Sequence, residues 1–149
     1  MNLSEIIKNI IRRLKPDAGN KGPKDHRKSL GDKGERIAER FLKRKGFKVS
    51  KRNLRYKAGE IDLLMIDKED LVIVEVRTIQ DKGELALEDR VPYRKRQQLI
   101  RLANYLIAEL DDPLPPIRFD ICVVVMEPSI EVHHYKDAFR SDEIGRQRY

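Results

Sequence analysis

Apolar residues recur along this chain at two spacings, one typical of helices and the other of strands. Over residues 2–14 they predict an amphipathic helix whose apolar stripe is Leu3, Ile6, Ile7, Ile10, Ile11 and Leu14. Residues 15–30 are rich in Gly, Pro and Lys and offer almost nothing to bury, so we expect a flexible linker there. A single folded domain is predicted over residues 31–138, followed by a polar tail over residues 139–149.

Helical spacing returns twice inside the predicted domain. A first helix is expected over residues 32–45, because Asp32 followed by Glu35 resembles a capping box and Gly46 is suited to end a helix. A second helix is expected over residues 92–110, whose first residue is a proline that fits an initial helical turn. Their predicted buried faces are Ile37, Ala38, Phe41 and Leu42 in the first, and Leu99, Leu102, Ala103, Leu106, Ile107 and Leu110 in the second.

Extended segments lie between and after the two helices. The strongest strand signals are residues 60–66 and 71–78, which surround a polar turn at 67–70. Residues 118–126 are almost continuously apolar and predict a central strand that is covered on both faces. Shorter strands are expected over residues 47–50, 53–56 and 130–135. The order helix, three strands, helix, two strands predicts an α/β domain with a mixed central sheet flanked by helices.

The hairpin formed by the two strongest strands would bring acidic residues together. With the turn centred on residues 68 and 69, Asp62 lies opposite Glu75 and Glu60 lies opposite Arg77. Because strand side chains alternate, these four would share one face, and the other face would hold Ile61, Leu63, Val74 and Val76. Facing carboxylates have Cβ atoms about 4.5–5.5 Å apart, where like charges are destabilising.

A hard divalent cation such as Mg²⁺ or Mn²⁺ would relieve this repulsion, since such ions take oxygen ligands. An ion held by Asp62 and Glu75 could lower the pKa of a bound water and neutralise charge on a phosphodiester. From spacing alone a solvated ion-pair cluster explains the hairpin equally well, with Arg77 neutralising one carboxylate.

Charge is unevenly distributed within the net charge of +7. Residues 1–57 hold 19 Lys/Arg and 6 Asp/Glu, whereas residues 58–149 hold 13 and 19. This division indicates a polyanionic partner beside a carboxylate site, although surface charge that serves solubility is the alternative. The basic residues that could follow a phosphate backbone are Lys51, Arg52, Arg55, Lys57, Arg94, Lys95, Arg96 and Arg101. Tyr56 and Tyr93 could stack on bases, but core packing or loop anchoring is the simpler role.

Several other classes of site and location are disfavoured. The single cysteine, Cys122, is expected to be a reduced core residue, and with no signal peptide expected we predict a cytoplasmic protein. No Cys or His stands at ligand spacing from His133 and His134, so a zinc site is not expected. The sequence also has neither a glycine-rich phosphate loop nor a nucleophile elbow.

The motif Gly59-Glu60-Ile61-Asp62 followed by Val74-Glu75-Val76-Arg77 resembles the active-site hairpin of the restriction-endonuclease-like superfamily, the PD-(D/E)XK nucleases. Within it, the chain is most similar to the YraN-like family of uncharacterised bacterial proteins. Further segments that match in order are Gly34 to Ala38, Gly46-Phe47, Asn53 to Arg55, Lys95 with Ala103 and Tyr105-Leu106, and Arg118 to Asp120. The resemblance covers about residues 31–126 and implies a restriction-endonuclease-like core.

The resemblance also implies roles for individual residues. Asp62 and Glu75 look like the two acidic metal ligands, and the main-chain carbonyl of Val76 would complete their set. Glu35 matches a helix position that adds a ligand in many of these nucleases, its alternative being the capping box alone. Arg77 stands where the family has a catalytic lysine, which puts cleavage in doubt.

Lys95 is a candidate substitute for that lysine, since the superfamily sometimes relocates it to this helix. An ordinary solvated cation between Arg94 and Arg96 is the alternative for Lys95. Three functions therefore stay open: a metal-dependent endonuclease acting on DNA branches or flaps, a catalytically impaired nucleic-acid-binding module, and an assembly or membrane-peripheral protein acting through residues 2–14. DNA is favoured over RNA and a homodimer is left open. Integral membrane association is not expected, because no apolar run approaches the roughly 20 residues of a membrane span.

Overall fold

The structure is a computed structural model that describes residue 5 and residues 26–85, 91–110 and 115–140. Its elements are α1 (His26–Arg44), β1 (Lys48–Tyr56), β2 (Gly59–Asp67), β3 (Asp70–Asp81), α2 (Tyr93–Ala108), β4 (Ile117–Glu127) and β5 (Glu131–Phe139), with a short 3₁₀ helix at Lys82–Glu84. This order confirms the predicted α-β-β-β-α-β-β arrangement. The helix expected over residues 2–14 lies outside the described residues except for Glu5, which is helical, and so do residues 15–25 and 141–149.

The five strands form one mixed sheet in the order β1-β2-β3-β4-β5. Neighbouring strands are antiparallel except for β3 and β4, which run parallel and are connected through α2. A parallel pair requires a crossover connection, and the second helix provides it. The mixed central sheet predicted from the sequence is therefore confirmed.

The two helices cover opposite faces of this sheet. On one face α1 contributes Ala38 and Leu42, which pack with Val72, Val74 and other strand residues. On the other face α2 contributes Leu99, Leu102, Ala103 and Leu106, which pack with a second set that includes Ile73 and Phe119. Burial of each large apolar side chain contributes about 1.5–3 kcal/mol to folding. Alternate residues of β4 belong to the two clusters, which confirms that its continuous apolar run is covered on both sides.

The first helix differs from its predicted start. It begins at His26 instead of Asp32, so the last residues of the expected linker are helical. Asp32 and Glu35 lie inside the helix, where intrahelical carbonyls already accept the backbone N–H groups, and the predicted capping box is therefore wrong. The predicted end is confirmed, because the helix stops at Arg44 and Gly46 follows with a φ of +96°.

The hairpin register is confirmed where the ladder runs regularly. Leu63 pairs with Val74 and Asp67 with Asp70, as the turn centred on residues 68 and 69 requires. The two short strands expected before this hairpin are one strand, β1, with an irregularity between Val49 and Lys51. Among the described residues, no helix has both the length and the apolar character needed to cross a membrane.

Candidate metal and catalytic site

The hairpin opens at Asp62, and this opening creates the candidate site. Backbone pairing between β2 and β3 is regular from the turn as far as Leu63 and Val74. At the next position, the Asp62 Oδ2 atom accepts a hydrogen bond of 2.9 Å from the backbone N–H of Val76. The carboxylate thus takes the place of a main-chain acceptor. It lies between the two strands at the point where they separate.

This opening also changes which faces the neighbouring side chains occupy. Leu63, Val74 and Val76 lie on the α1 side of the sheet, as expected, but Ile61 packs in the cluster on the α2 side. The prediction that all four share one face is therefore wrong for Ile61. Strict alternation fails here because the Asp62 side chain, not its backbone, bonds to β3.

The four charged residues predicted on one face are divided between the two sides. Glu60 and Asp62 approach Glu35 of α1, whereas Glu75 projects toward Lys95 of α2. Glu60 forms an ion pair with Arg55 of β1, with 3.1 Å between Arg55 Nε and Glu60 Oε2. The prediction of a single shared face is thus wrong, and Asp62 at the opening is the residue that connects the two acidic groups.

The first acidic group comprises Glu35, Glu60 and Asp62. One carboxylate oxygen from each lies within 4.8 Å of the others, and all three side chains are half-buried. Burial, followed by the charges of Asp62, Glu60 and Asp32, raises the pKa of Glu35 from 4.5 to about 8. Three carboxylates this close repel one another when ionised, so the group is suited to a bound cation.

The second group comprises Asp62, Glu75 and Lys95. Glu75 is only 8% exposed, and its Oε1 atom lies 3.2 Å from Lys95 Nζ. Burial and the charge of Asp62 raise the pKa of Glu75 to about 7, although Lys95 acts in the opposite direction. Burial also raises the pKa of Asp62, against the lowering effects of the Val76 N–H and Lys95. The charge of Asp62 therefore disfavours the ionised form of Glu75, whereas a hydrogen bond with Glu75 lowers the pKa of Asp62.

One oxygen of Glu75 has no hydrogen-bond partner. Its Oε2 atom is buried, and within the described part of the chain no donor reaches it. A buried carboxylate oxygen without a partner costs free energy comparable to a lost charge-assisted hydrogen bond. Lys95 pairs with the other oxygen of this carboxylate, Oε1, so Oε2 is the atom of Glu75 that a further cation could bind.

The residues predicted for the site are brought together to different degrees. Asp62, Glu75, Glu35 and Lys95 meet around the hairpin opening, and the backbone of Val76 lies at the same point. Glu60 was not among the predicted ligands. Its position two residues before Asp62 is a signal in the sequence for a further ligand, whereas the predicted pairing with Arg77 indicates an ion pair instead.

The predicted phosphate-binding residues divide into three kinds. Arg52 and Arg55 form ion pairs with Glu39 and Glu60 in which both arginines are exposed, and Lys95 pairs with Glu75. The Arg96 side chain has a buried Nε without a hydrogen-bond partner in the described structure. The remaining members are exposed or half-exposed on β1, the β1–β2 turn and α2: Lys51, Lys57, Arg94 and Arg101.

The candidate base-stacking residues differ in their surroundings. Tyr56 stacks on Tyr105 with ring centroids 5.8 Å apart, and its hydroxyl donates to Glu109. Tyr56 is therefore anchored to α2, which agrees with a packing or anchoring role better than with base stacking. Tyr93 is 41% exposed at the start of α2. An open cavity of about 260 Å³ lies between α1 and β1, and Glu35, Arg36, Arg52 and Asn53 line part of it.

Comparison with known proteins gives consistent matches. The model of the uncharacterised protein family UPF0102 matches residues 34–124. A UPF0102 protein of Lawsonia intracellularis is 40% identical over 86 residues, which is 57% of this chain and 65% of that protein. UPF0102 proteins of Nocardia farcinica and Xanthomonas oryzae pv. oryzae are 37% and 38% identical, with 57% and 59% of this chain covered and 68% and 72% of theirs.

Among solved structures, Pyrococcus furiosus SfsA in complex with Ca²⁺ is 20% identical, with 83% of this chain and 74% of that chain covered. Its TM-score of 0.34 is too low to support any conclusion about this chain. The family match extends over more than half of the sequence and includes the hairpin, both acidic groups and Lys95. This chain therefore belongs to the UPF0102 family, a PD-(D/E)XK-like family.

Proposed function

We propose that this protein is a divalent-metal-dependent nuclease that hydrolyses phosphodiester bonds in DNA, with Mg²⁺ or Mn²⁺ held at the hairpin opening. The observation that carries the proposal is the contact between the buried carboxyl group of Glu75 and that of Asp62, beside the group in which oxygens of Glu35, Glu60 and Asp62 lie within 4.8 Å of one another. Hard oxygen donors of this kind suit Mg²⁺ and Mn²⁺ better than softer metals.

The ligands for this ion would be the carboxylates of Asp62 and Glu75 and the main-chain carbonyl of Val76. Glu35 and Glu60 would add acidic oxygens from the α1 side, within 4.8 Å of Asp62. When bound, the ion would lower the pKa of a water and neutralise charge on the phosphodiester. The acidic residues would otherwise repel a phosphate, so the ion is also what would admit the substrate.

Lys95 would take the part that a lysine on the hairpin has in related nucleases. Its Nζ atom already lies 3.2 Å from Glu75 Oε1, so it can donate hydrogen bonds to a water or phosphate oxygen beside that carboxylate. Arg77 follows Glu75 at the spacing that keeps both side chains on one face of β3, and its guanidinium would contribute charge to the phosphate.

Exposed basic residues around the opening would bind the DNA backbone. The ion pairs of Arg52 with Glu39 and of Arg55 with Glu60 are at the surface, where such pairs contribute about 0–1 kcal/mol. Either arginine can therefore turn to a phosphate at little cost. Contacts of this type give affinity without sequence preference and weaken as salt increases.

The direct test is a cleavage assay with Mn²⁺ and with Mg²⁺ on branched, flapped and single-stranded DNA. We expect cleavage of at least one substrate, dependence on the metal, and loss of activity in Asp62→Ala. Incision that persists in Asp62→Ala would come from a contaminating enzyme. Failure to cut every substrate with either ion would contradict the nuclease proposal.

Arg77 at the usual lysine position favours a second candidate, a nucleic-acid-binding module with impaired catalysis. The two candidates differ in what they predict for Lys95→Met and Arg77→Lys. If Lys95 supplies the catalytic ammonium, Lys95→Met should lower the cleavage rate about 100-fold or more while leaving DNA affinity within a few-fold. If catalysis is impaired, the wild type should bind DNA without cutting it, and Arg77→Lys should bring a gain of cleavage.

A further inference from the structure

We propose that Asn53 is a positioning residue of the acidic group, and that its side-chain amide holds the Glu35 and Glu60 carboxylates in the arrangement that binds the cation. With its amide nitrogen turned toward these residues, Asn53 donates to Glu35 Oε2 at 2.9 Å and to Glu60 Oε1 at 3.0 Å. The amide is assigned this orientation because the reverse would set its oxygen against two carboxylates. This inference rests on the proposed metal site.

The backbone of Asn53 is unusual for the middle of a strand. Its φ is +49°, in the left-handed region that costs most residues with a Cβ roughly 1–2 kcal/mol. Asparagine tolerates this region better than other such residues. The flanking pairs, Arg52 with Leu63 and Leu54 with Ile61, keep one register, so the distortion is confined to the position across from Asp62.

The position of this distortion indicates its purpose. The preceding residue, Arg52, pairs with Glu39 of α1, and the Asn53 amide also reaches α1, at Glu35, although regular alternation would send these two neighbours to opposite faces. A regular strand conformation at residue 53 would direct the side chain differently, and the two hydrogen bonds would be lost. The left-handed conformation and the two hydrogen bonds are therefore parts of one arrangement.

An amide suits this task better than a cation would. Its two N–H groups bond one oxygen of each carboxylate and fix their orientation, but they leave the negative charge in place for a metal. The bond to Glu35 uses Oε2, so Oε1 of the same carboxylate stays available as a ligand. Arg55 pairs with the other oxygen of Glu60, but this pair is exposed and weak, so the amide of Asn53 supplies the directed contact. Groups that orient metal ligands in this way typically change metal affinity 10–100-fold when removed.

The test compares two variants that separate the amide from the backbone. Asn53→Gly removes the amide and still accepts the left-handed conformation, while Asn53→Ala removes the amide and strains the backbone. We expect both to bind Mn²⁺ about 10–100-fold more weakly than the wild type in isothermal titration calorimetry. Thermal unfolding of the metal-free proteins should show a larger loss of stability for Asn53→Ala than for Asn53→Gly, because both lose the two hydrogen bonds and only alanine strains the backbone.

Lys68→Gly is a matched control, because Lys68 also has a positive φ (+56°) but lies in the β2–β3 turn. Its Mn²⁺ affinity should equal that of the wild type. Wild-type affinity in Asn53→Gly would overturn the inference and assign residue 53 a backbone role only. If the wild type binds no Mn²⁺, this inference and the metal site fail together. If it binds Mn²⁺ with an affinity that depends on the Asn53 amide but cuts no DNA, the nuclease proposal fails and this inference stands.

Discussion

Replacing Asp62 with asparagine is expected to weaken Mn²⁺ binding by at least about 100-fold and to make the metal-free protein more stable. The loss of affinity follows because Asp62 connects the two acidic groups and would supply a negative ligand to the ion. The gain of stability follows because the Asp62 charge raises the pKa of both Glu35 and Glu75. Asparagine can keep the bond from the Val76 N–H through its own Oδ1.

The expected gain in stability at pH 8 is on the order of 1 kcal/mol, because burial is the largest cause of both pKa shifts and only the smaller effect of the Asp62 charge is relieved, at about 1.4 kcal/mol per pKa unit. Urea unfolding of the metal-free wild type and of Asp62→Asn would measure it, alongside calorimetric titration with Mn²⁺. Substitution of a residue that serves only the fold would lower the stability of the protein. Opposite changes in metal affinity and stability are therefore the signature of a ligand that the fold holds at a cost.

The pH dependence of the same measurement provides a control. Glu35 and Glu75 have pKa values of about 8 and about 7 in the folded protein, against 4.5 ordinarily. Folding of the metal-free protein thus takes up protons in this range, and its stability should rise as the pH falls from about 8 to about 5. Saturating Mn²⁺ should reverse the slope, because it requires the ionised carboxylates. A slope near zero in the metal-free wild type, or lower stability in Asp62→Asn, would contradict this account.

Much of the hairpin could be predicted from the sequence because two local signals agree. The polar turn at residues 67–70 and the alternation on either side specify one register, and the ladder from Leu63 to Asp67 follows it. The same holds for β4, whose apolar run can only be stable when both faces are covered. Residues close together in the sequence determine the hairpin register and the burial of β4, so both can be predicted from a single sequence.

The opening at Asp62 could not be predicted in this way. Periodicity assumes that each backbone group pairs with the opposite strand, whereas here a side-chain oxygen accepts the Val76 N–H. This side-chain hydrogen bond replaces a backbone one. As a result Ile61 lies on the α2 side of the sheet instead of the predicted α1 side, and Glu60 is separated from Glu75. The left-handed Asn53 has the same origin, since its conformation depends on carboxylates from α1 and β2 rather than on its neighbours in β1.

The predicted start of α1 is wrong for a different reason. The capping signal at Asp32 and Glu35 was plausible locally, but residues 26–31 continue the helix toward the N-terminus. Gly31 lies in this added segment and Gly34 follows it, and the helix tolerates both although each interior glycine costs about 1 kcal/mol. The consequence for the site is useful, because Glu35 in mid-helix is free of a capping role and its carboxylate reaches Asp62 instead.

The polar network around Arg118 was also beyond sequence reasoning. Arg118 and Asp120 are separated by two positions of one strand, which places them on one face, but their other partners come from distant segments. Arg118 donates two hydrogen bonds to Asp120, at 2.8 and 2.9 Å, and one each to Asp67 and Asp70, at 2.9 and 3.0 Å. The His134 side chain is buried, and its Nε2 atom lies 2.8 Å from Asp120 Oδ2.

Disruption of this network is expected to cause a large loss of stability. Arg118 is 7% exposed and Asp120 is 1% exposed, so removal of the guanidinium leaves a buried carboxylate without its main counter-charge. Burial raises the pKa of Asp120, but the hydrogen bonds from His134 and Arg118 outweigh this effect and lower the pKa from 3.8 to about 2. The pair therefore stabilises the fold at neutral pH, and Asp120's contribution is lost as the pH falls through this window.

Arg118→Met is expected to lower the free energy of unfolding by about 3–5 kcal/mol at pH 7, because breaking a buried pair costs far more than breaking an exposed one. Arg140→Met is the matched control, since Arg140 forms an exposed pair with Asp137 whose loss should cost about 0–1 kcal/mol. Urea unfolding at pH 7 would compare the three proteins. A loss below about 1 kcal/mol in Arg118→Met would mean that water or His134 compensates Asp120 without the arginine, and that the network contributes little to the fold.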